Sequence, residues 1–174
     1  MWYNPSVMNN EHFEIERKFI IRRPERAFLE ANGEATEILQ TYLLSEPGET
    51  RRVRKRWNGD EVKYYYTAKS RVNAMRRIER ERELSESEYE TLLESADPAC
   101  RPIRKQRWVM NYHGQLFEID LFPFWEKQAY LELELRDEEQ AIDFPPALEV
   151  LREVTGDGRY TNRALAREIP EEEE

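Results

Sequence analysis

The chain has 174 residues, 39% hydrophobic and 36% charged, with a formal net charge of −9. That length supports one domain with a real core, and an aromatic content of 11% argues against disorder despite the charge. The acidic balance excludes general, sequence-independent nucleic-acid binding but leaves room for a small anion in a locally basic site.

Residues 1–11 read as a flexible lead-in without the apolar run of a signal peptide. The next stretch, 12–21, alternates: Glu14, Glu16 and Lys18 on one side, Phe13, Ile15, Arg17 and Phe19 on the other. A period of two predicts a half-buried strand. Pro24 in a first turn and Gly33 at the end bracket a short helix with Phe28 and Leu29 buried. Residues 38–44 predict a second strand, broken at Pro47 and Gly48. Residues 51–57 place Arg52, Arg54 and Arg56 on one face, and Asn58-Gly59-Asp60 is a hairpin signal. Residues 62–69 return with Tyr65, Thr67 and Lys69 sharing a face. The alternating charges of 77–84 suit either an exposed helix or a strand. Ser85 and Glu88 form a capping-box pattern, so the helix begins there and 77–84 is taken as a strand. That strand puts Arg77, Glu79, Glu81 and Glu83 on one face, and the helix runs to about Ala96.

Residues 102–110 predict a strand with Ile103, Lys105, Arg107 and Val109 facing one way and Trp108 on the outer face. His113-Gly114 turns the chain into 116–122, which carries Glu118 and Asp120. In 129–135, Glu132 and Glu134 interleave with Leu131, Leu133 and Leu135. A short helix is expected at 137–141 and another at 162–166; 149–155 fits no single element, and 169–174 reads as a disordered acidic tail. The expected fold is α+β: a closed antiparallel eight-stranded β-barrel over 12–168 with helices packed outside. No P-loop and no GxGxxG fingerprint occurs, and His12 and His113 have no cysteine at zinc spacing. The single cysteine, Cys100, and the lack of a membrane-length apolar run point to a cytoplasmic protein with no membrane partner.

A barrel of such strands gathers Lys18, Arg52, Arg54, Lys69, Arg77, Lys105 and Arg107 on the face that also holds Glu14, Glu16, Glu79, Glu81, Glu118, Asp120, Glu132 and Glu134. Any one strand of this kind is ordinarily a solvated face. Repetition in nearly every strand points to a lumen, where buried charges require neutralisation. Arginine and lysine grip phosphoryl oxygens, and hard carboxylate oxygens suit Mg²⁺ or Mn²⁺. The combination describes a site for a polyphosphate tail built without a P-loop.

In order, Glu14-x-Glu16-x-Lys18, Arg52-x-Arg54, Thr67-x-Lys69, Arg77-x-Glu79-x-Glu81, Lys105-x-Arg107, Glu118-x-Asp120 and Glu132-x-Glu134 resemble the CYTH superfamily, the triphosphate tunnel metalloenzymes. Val154-Thr155, Asp157, Arg159-Tyr160 and Asn162 extend the resemblance, which covers about 11–165. It implies an eight-stranded barrel around a tunnel and Mg²⁺- or Mn²⁺-dependent chemistry on a triphosphate. Glu14, Glu16, Glu132, Glu134, Asp120 and Glu81 are then implied metal ligands. Lys18, Arg52, Arg54, Lys69, Arg77, Lys105 and Arg107 are implied phosphate contacts, and Glu14, Glu16, Lys18, Lys69, Glu81 and Asp120 the catalytic set. Hydrolysis of inorganic tripolyphosphate is the leading expectation, since the chain is nearly all barrel. Adenylate cyclisation, thiamine or nucleoside triphosphate hydrolysis, and non-catalytic polyphosphate binding are the alternatives. A homodimer is allowed.

Overall fold

The structure, a computed structural model, describes residues 10–174. Most of the expected 1–11 lead-in therefore lies outside the described residues. The strands are β1 (Asn10–Arg22), β2 (Gly33–Leu43), β3 (Glu49–Asn58), β4 (Glu61–Arg71), β5 (Arg76–Leu84), β6 (Ile103–Tyr112), β7 (Gln115–Leu121), β8 (Gln128–Glu134) and β9 (Val150–Glu153). The helices are α1 (Arg26–Asn32), α2 (Glu86–Leu93) and α3 (Asn162–Leu165).

The sheet runs β5-β4-β3-β2-β6-β7-β8-β1-β9, and an additional β5–β1 pairing closes β1–β8 into a barrel. All pairings are antiparallel. Strand β1 is the closing seam. It pairs with β5 through residues 10–15 and with β8 through residues 16–22, and the short β9 joins it at residues 19–21. The β3–β4 hairpin turns at Gly59, whose φ of +59° suits a residue without Cβ.

Alternation along the strands splits the apolar residues into three packed groups. Ile15, Phe19, Ile21, Trp108, Phe117, Ile119, Leu131 and Leu133 point out of the barrel and pack with Leu29 of α1 and Leu148. Leu43, Val53 and Leu84 point out under Tyr89 of α2. The third group lies inside. Ile20, Tyr42, Ile103, Phe122 and Tyr130 continue the lumen-facing rows and pack with Trp125, Val154, Tyr160 and Leu165. One end of the barrel is thus filled by apolar side chains, and the charged rows line what remains.

Helix α2 carries the expected capping box: Glu88 N donates to Ser85 Oγ at 3.1 Å and Ser85 N to Glu88 Oε2 at 2.8 Å. It ends at Leu93, short of Ala96, which instead forms an isolated bridge with Leu43. Two other expectations need correction and one open stretch is settled. Residues 137–141 form no helix. Asp137 Oδ1 accepts from Glu139 N at 3.0 Å and Gln140 Oε1 from Arg136 N at 2.8 Å, local bonds that compete with a helical turn. The stretch 149–155 supplies β9. The acidic tail is docked: Glu172 Oε1 accepts from Lys127 N at 2.6 Å and Gln128 N at 3.2 Å, where β8 begins. Glu173 Oε1 accepts from Arg152 Nε at 3.0 Å and Nη2 at 2.6 Å. Among the described residues no helix is long and apolar enough to cross a membrane.

Candidate active site

The charged part of the lumen is a cavity of about 330 Å³. Its wall includes Glu14, Glu16 and Lys18 of β1, Arg52 and Arg54 of β3, and Thr67 and Lys69 of β4. Arg77, Glu79 and Glu81 of β5, Arg107 of β6, Glu118 of β7, and Glu132 and Glu134 of β8 complete that set. Each strand contributes every second residue, so the period-two reading of 12–21, 51–57, 62–69, 77–84 and 129–135 brings these groups together.

Most of the charges neutralise one another. Lys69 Nζ stands 2.8 Å from Glu14 Oε2 and 3.0 Å from Glu79 Oε2. Arg54 pairs with Glu81, which also accepts from Thr67 Oγ1 at 2.9 Å. Lys18 Nζ is 3.2 Å from Glu132 Oε1, donates to the Tyr160 carbonyl at 3.4 Å, and lies over the Tyr130 ring. Arg107 reaches Glu118, Asp120 and Glu132. Among the described residues, no ion pair or hydrogen bond engages the Glu16, Glu134 or Arg77 side chain, and no ion pair engages Arg52. Glu16 and Glu134 face each other as register partners across β1 and β8.

Two expected site residues stand apart. Lys105 and Asp120 are buried and absent from the cavity wall. Lys105 Nζ donates to Asp120 Oδ2 at 2.7 Å, while Arg107 Nε and Nη2 donate to Asp120 Oδ1 and Oδ2 at 2.7 and 2.8 Å. Both carboxylate oxygens are spent, so Asp120 is not a free ligand and Lys105 offers no direct phosphate contact in this arrangement. The two hold Arg107 from behind. Their depth follows from the apolar filling: Lys105 sits over the Phe122 ring at 5.9 Å.

Burial and neighbours set the proton affinities. Burial pushes the Lys105 ammonium down to about 8 even though Asp120 acts to raise it. Burial, then the Arg52 charge, brings the Arg54 guanidinium down to about 10. For Glu79 burial acts upward, but the Lys69 ammonium and hydrogen bonds outweigh it and hold the carboxyl down at about 2. Glu134 moves the other way: partial burial, then the Glu14 charge, raises it from its ordinary value. Burial also raises Glu118, against the pull of Arg107.

Among the described residues no three His, Cys, Asp or Glu side chains converge as a metal ligand set. The donor chemistry nonetheless fits a hard divalent cation. Glu16 and Glu134 are like charges opposed on adjacent strands and make no ion pair among the described residues, and Glu14 lies in the same row of β1. Mg²⁺ would need only one or two such carboxylates, since it retains waters and is shared with phosphate oxygens.

Sequence reasoning missed part of the wall. Tyr42, Thr50, Thr161, Asn162 and Arg163 also line the cavity. The last three are the N-cap and first two residues of α3, which packs at the filled end of the barrel and has no strand periodicity to reveal its facing.

Fold and site together define a class: a closed antiparallel barrel whose interior carries cations and acids in matched rows. Over 159 residues the chain is 34% identical to an inorganic triphosphatase of Nitrosomonas europaea, covering 90% of this chain and 99% of the relative. It is 31% identical to an inorganic triphosphatase of Acetivibrio thermocellus, covering 88% and 93%. A crystal structure of an inorganic triphosphatase superposes with a TM-score of 0.56 at 30% identity, over 91% of this chain and 97% of that one. A Pyrococcus horikoshii protein shares the fold, with a TM-score of 0.55 at 21% identity over 72% of this chain and 81% of that one. No protein-family model matches the chain. The chain belongs to the CYTH superfamily of triphosphate tunnel metalloenzymes.

Proposed function

We propose that the protein hydrolyses inorganic tripolyphosphate with Mg²⁺ or Mn²⁺. The observation that carries this reading is the division of the cavity wall. Among the described residues Arg52 and Arg77 make no ion pair with a carboxylate and Glu16 and Glu134 none with a cation, so the lumen has guanidinium groups open to an added anion and carboxylates open to an added cation. A triphosphate arriving with a divalent cation supplies both. The names of the two relatives support the choice of the inorganic substrate.

In this mechanism Arg52 and Arg77 take phosphoryl oxygens directly. Lys18, Arg54, Lys69 and Arg107 exchange part of their carboxylate contact for phosphate contact, with Lys105 and Asp120 fixing Arg107. Glu14, Glu16, Glu132 and Glu134 would hold the cation, which when bound offsets phosphate charge and lowers the pKa of a coordinated water. Water attacks the terminal phosphorus, the bridging P–O bond breaks, and pyrophosphate leaves with that electron pair. The proton passes to one of the lumen carboxylates. Fixed charges that need no reorganisation supply most of the stabilisation. Steady-state profiling with tripolyphosphate, ATP and thiamine triphosphate, with either metal or with EDTA, tests the proposal. The expected result is highest efficiency on tripolyphosphate and loss of turnover in EDTA. Greater efficiency on either organic substrate, or cyclic AMP with pyrophosphate from ATP, overturns it.

A further inference from the structure

The docked acidic tail is connected to the lumen through two side chains. Buried partners fix its position: Trp125 Nε1 donates to the Pro170 carbonyl at 3.1 Å and Glu173 N to Gln128 Oε1 at 2.7 Å, and Trp125 and Gln128 are both buried. Held in this way, the Glu173 carboxylate meets the Arg152 guanidinium of β9. Arg152 is absent from the cavity wall. Its Nη2 also donates to the Tyr160 hydroxyl at 2.6 Å, and its guanidinium carbon lies 4.9 Å from the centre of the Tyr160 ring. Tyr160 is buried, and its carbonyl takes the Lys18 ammonium in the lumen. The same segment grips Lys18 at its backbone: Lys18 N donates to Thr155 Oγ1 at 2.9 Å, and Val154 N to the Lys18 carbonyl at 2.9 Å.

We propose that Arg152 is a positioning residue for Lys18, acting through Tyr160, and that Glu173 of the tail sets Arg152. The inference rests on the reading that Lys18 contacts a phosphate chain in the lumen. A lysine ammonium rides on a flexible four-carbon stem, so holding it in place before the ligand arrives removes part of the ordering cost of binding. The planar guanidinium of Arg152 serves Glu173 and the Tyr160 hydroxyl together, which a lysine at this place could not do in the same geometry. Because preorganisation of Lys18 serves bound substrate and transition state alike, it acts on KM rather than on kcat.

The test measures tripolyphosphate binding by calorimetry in EDTA, and KM and kcat with Mg²⁺, for Arg152→Gln, Arg152→Lys and Glu173→Gln, each in the wild-type and the Lys18→Gln background. Arg152→Gln should weaken binding and raise KM by about three- to tenfold with kcat within about twofold. Arg152→Lys, which keeps the charge and loses the planar fork, should fall between Arg152→Gln and wild type. Glu173→Gln should act in the same direction by about two- to threefold, as befits a half-exposed ion pair. In the Lys18→Gln background Arg152→Gln should change affinity by less than about 1.5-fold, because its effect is carried by the missing ammonium, whereas a merely structural role would weaken both backgrounds equally. Wild-type affinity in Arg152→Gln, or an equal loss in both backgrounds, overturns the inference while leaving the proposed function intact. If Arg152→Gln does not fold, the same two comparisons made with Glu173→Gln decide it. Wild-type affinity in Lys18→Gln overturns the phosphate contact of Lys18 and this inference with it. A wild-type protein that binds no tripolyphosphate overturns the proposed function and this inference together.

Discussion

Glu134→Gln and Glu16→Gln probe the like-charge pair at the β1–β8 seam. Directly opposed residues of an antiparallel pair have Cβ atoms about 4.5–5.5 Å apart. Two unit charges about 5.5 Å apart repel by roughly 0.8 kcal/mol in a water-like medium and roughly 3 kcal/mol at an effective dielectric of 20. Glu134 ends β8 in an exposed position, so the lower end of this range governs. Without metal, either Gln variant should therefore be more stable by about 1 kcal/mol, a rise in Tm of about 2–4 °C for a chain of this size. With metal the sign of the effect reverses. Each substitution removes one hard anionic oxygen, and turnover should fall at least tenfold, about 1.4 kcal/mol of transition-state stabilisation. The activity midpoint in a Mg²⁺ or Mn²⁺ titration should move to higher concentration. Phosphate release across a metal series, with thermal unfolding in EDTA, reads all three quantities. If both variants keep wild-type turnover and the wild-type metal titration, these carboxylates are not ligands and the mechanism fails here.

Trp108 is 6% exposed in the outer core beside α1, so Trp108→Ala should cost about 3–5 kcal/mol in chemical denaturation; a loss under about 1 kcal/mol would reject that packing. The acid limb of stability should depend on Glu79, where the Lys69 ammonium outweighs burial and the folded carboxyl lies at about 2, against an ordinary value of 4.5. A carboxyl depressed on folding stabilises the protein above the unfolded value and loses that contribution as pH falls from about 4.5 through 2. Glu79→Gln should flatten the fall in Tm over that window, and an unchanged slope would remove Glu79 from the account.

The barrel was legible because several strands place a row of paired charges on one face in strict alternation. Turning that row inward inverts the usual arrangement, and it is visible only because β1, β3, β4, β5 and β8 all repeat it. The 77–84 run was resolved by its neighbour, since the Ser85–Glu88 capping box fixes where α2 begins and leaves the preceding charges to a strand. The failures share a cause. Alternation reports which face a side chain takes, not its depth along the barrel. Lys105 and Asp120 face inward as expected, yet they lie against the region where Phe122 and Tyr130 fill the lumen. Nothing within 102–110 reveals that β6 crosses from apolar filling to open cavity between Ile103 and Arg107. Arg163 and the docked tail escaped for the complementary reason: their placement depends on long-range contacts, with Asp97 and with Arg152, that have no local signature.

The same contrast separates supporting charges from working ones. Asp120 has spent both oxygens on Lys105 and Arg107, so its ionised form is bound into the fold and its cost is already met by two donors. Glu16, Glu134, Arg52 and Arg77 are placed on the lumen face by the strand register but, among the described residues, make no ion pair. Keeping uncancelled charges in a half-enclosed cavity lowers the stability of the empty protein, and only a ligand of the complementary charge pattern recovers that loss. Selectivity then follows from arrangement rather than from total charge. Under the proposed function, a simple dianion would satisfy the guanidinium side alone, whereas a triphosphate carried with a divalent cation would satisfy both sides at once. The closed hydrogen-bond ladder of the barrel fixes which residues face the lumen, while Lys69–Glu14, Arg54–Glu81 and Lys18–Glu132 neutralise each other across it and leave these four side chains outside the pairing.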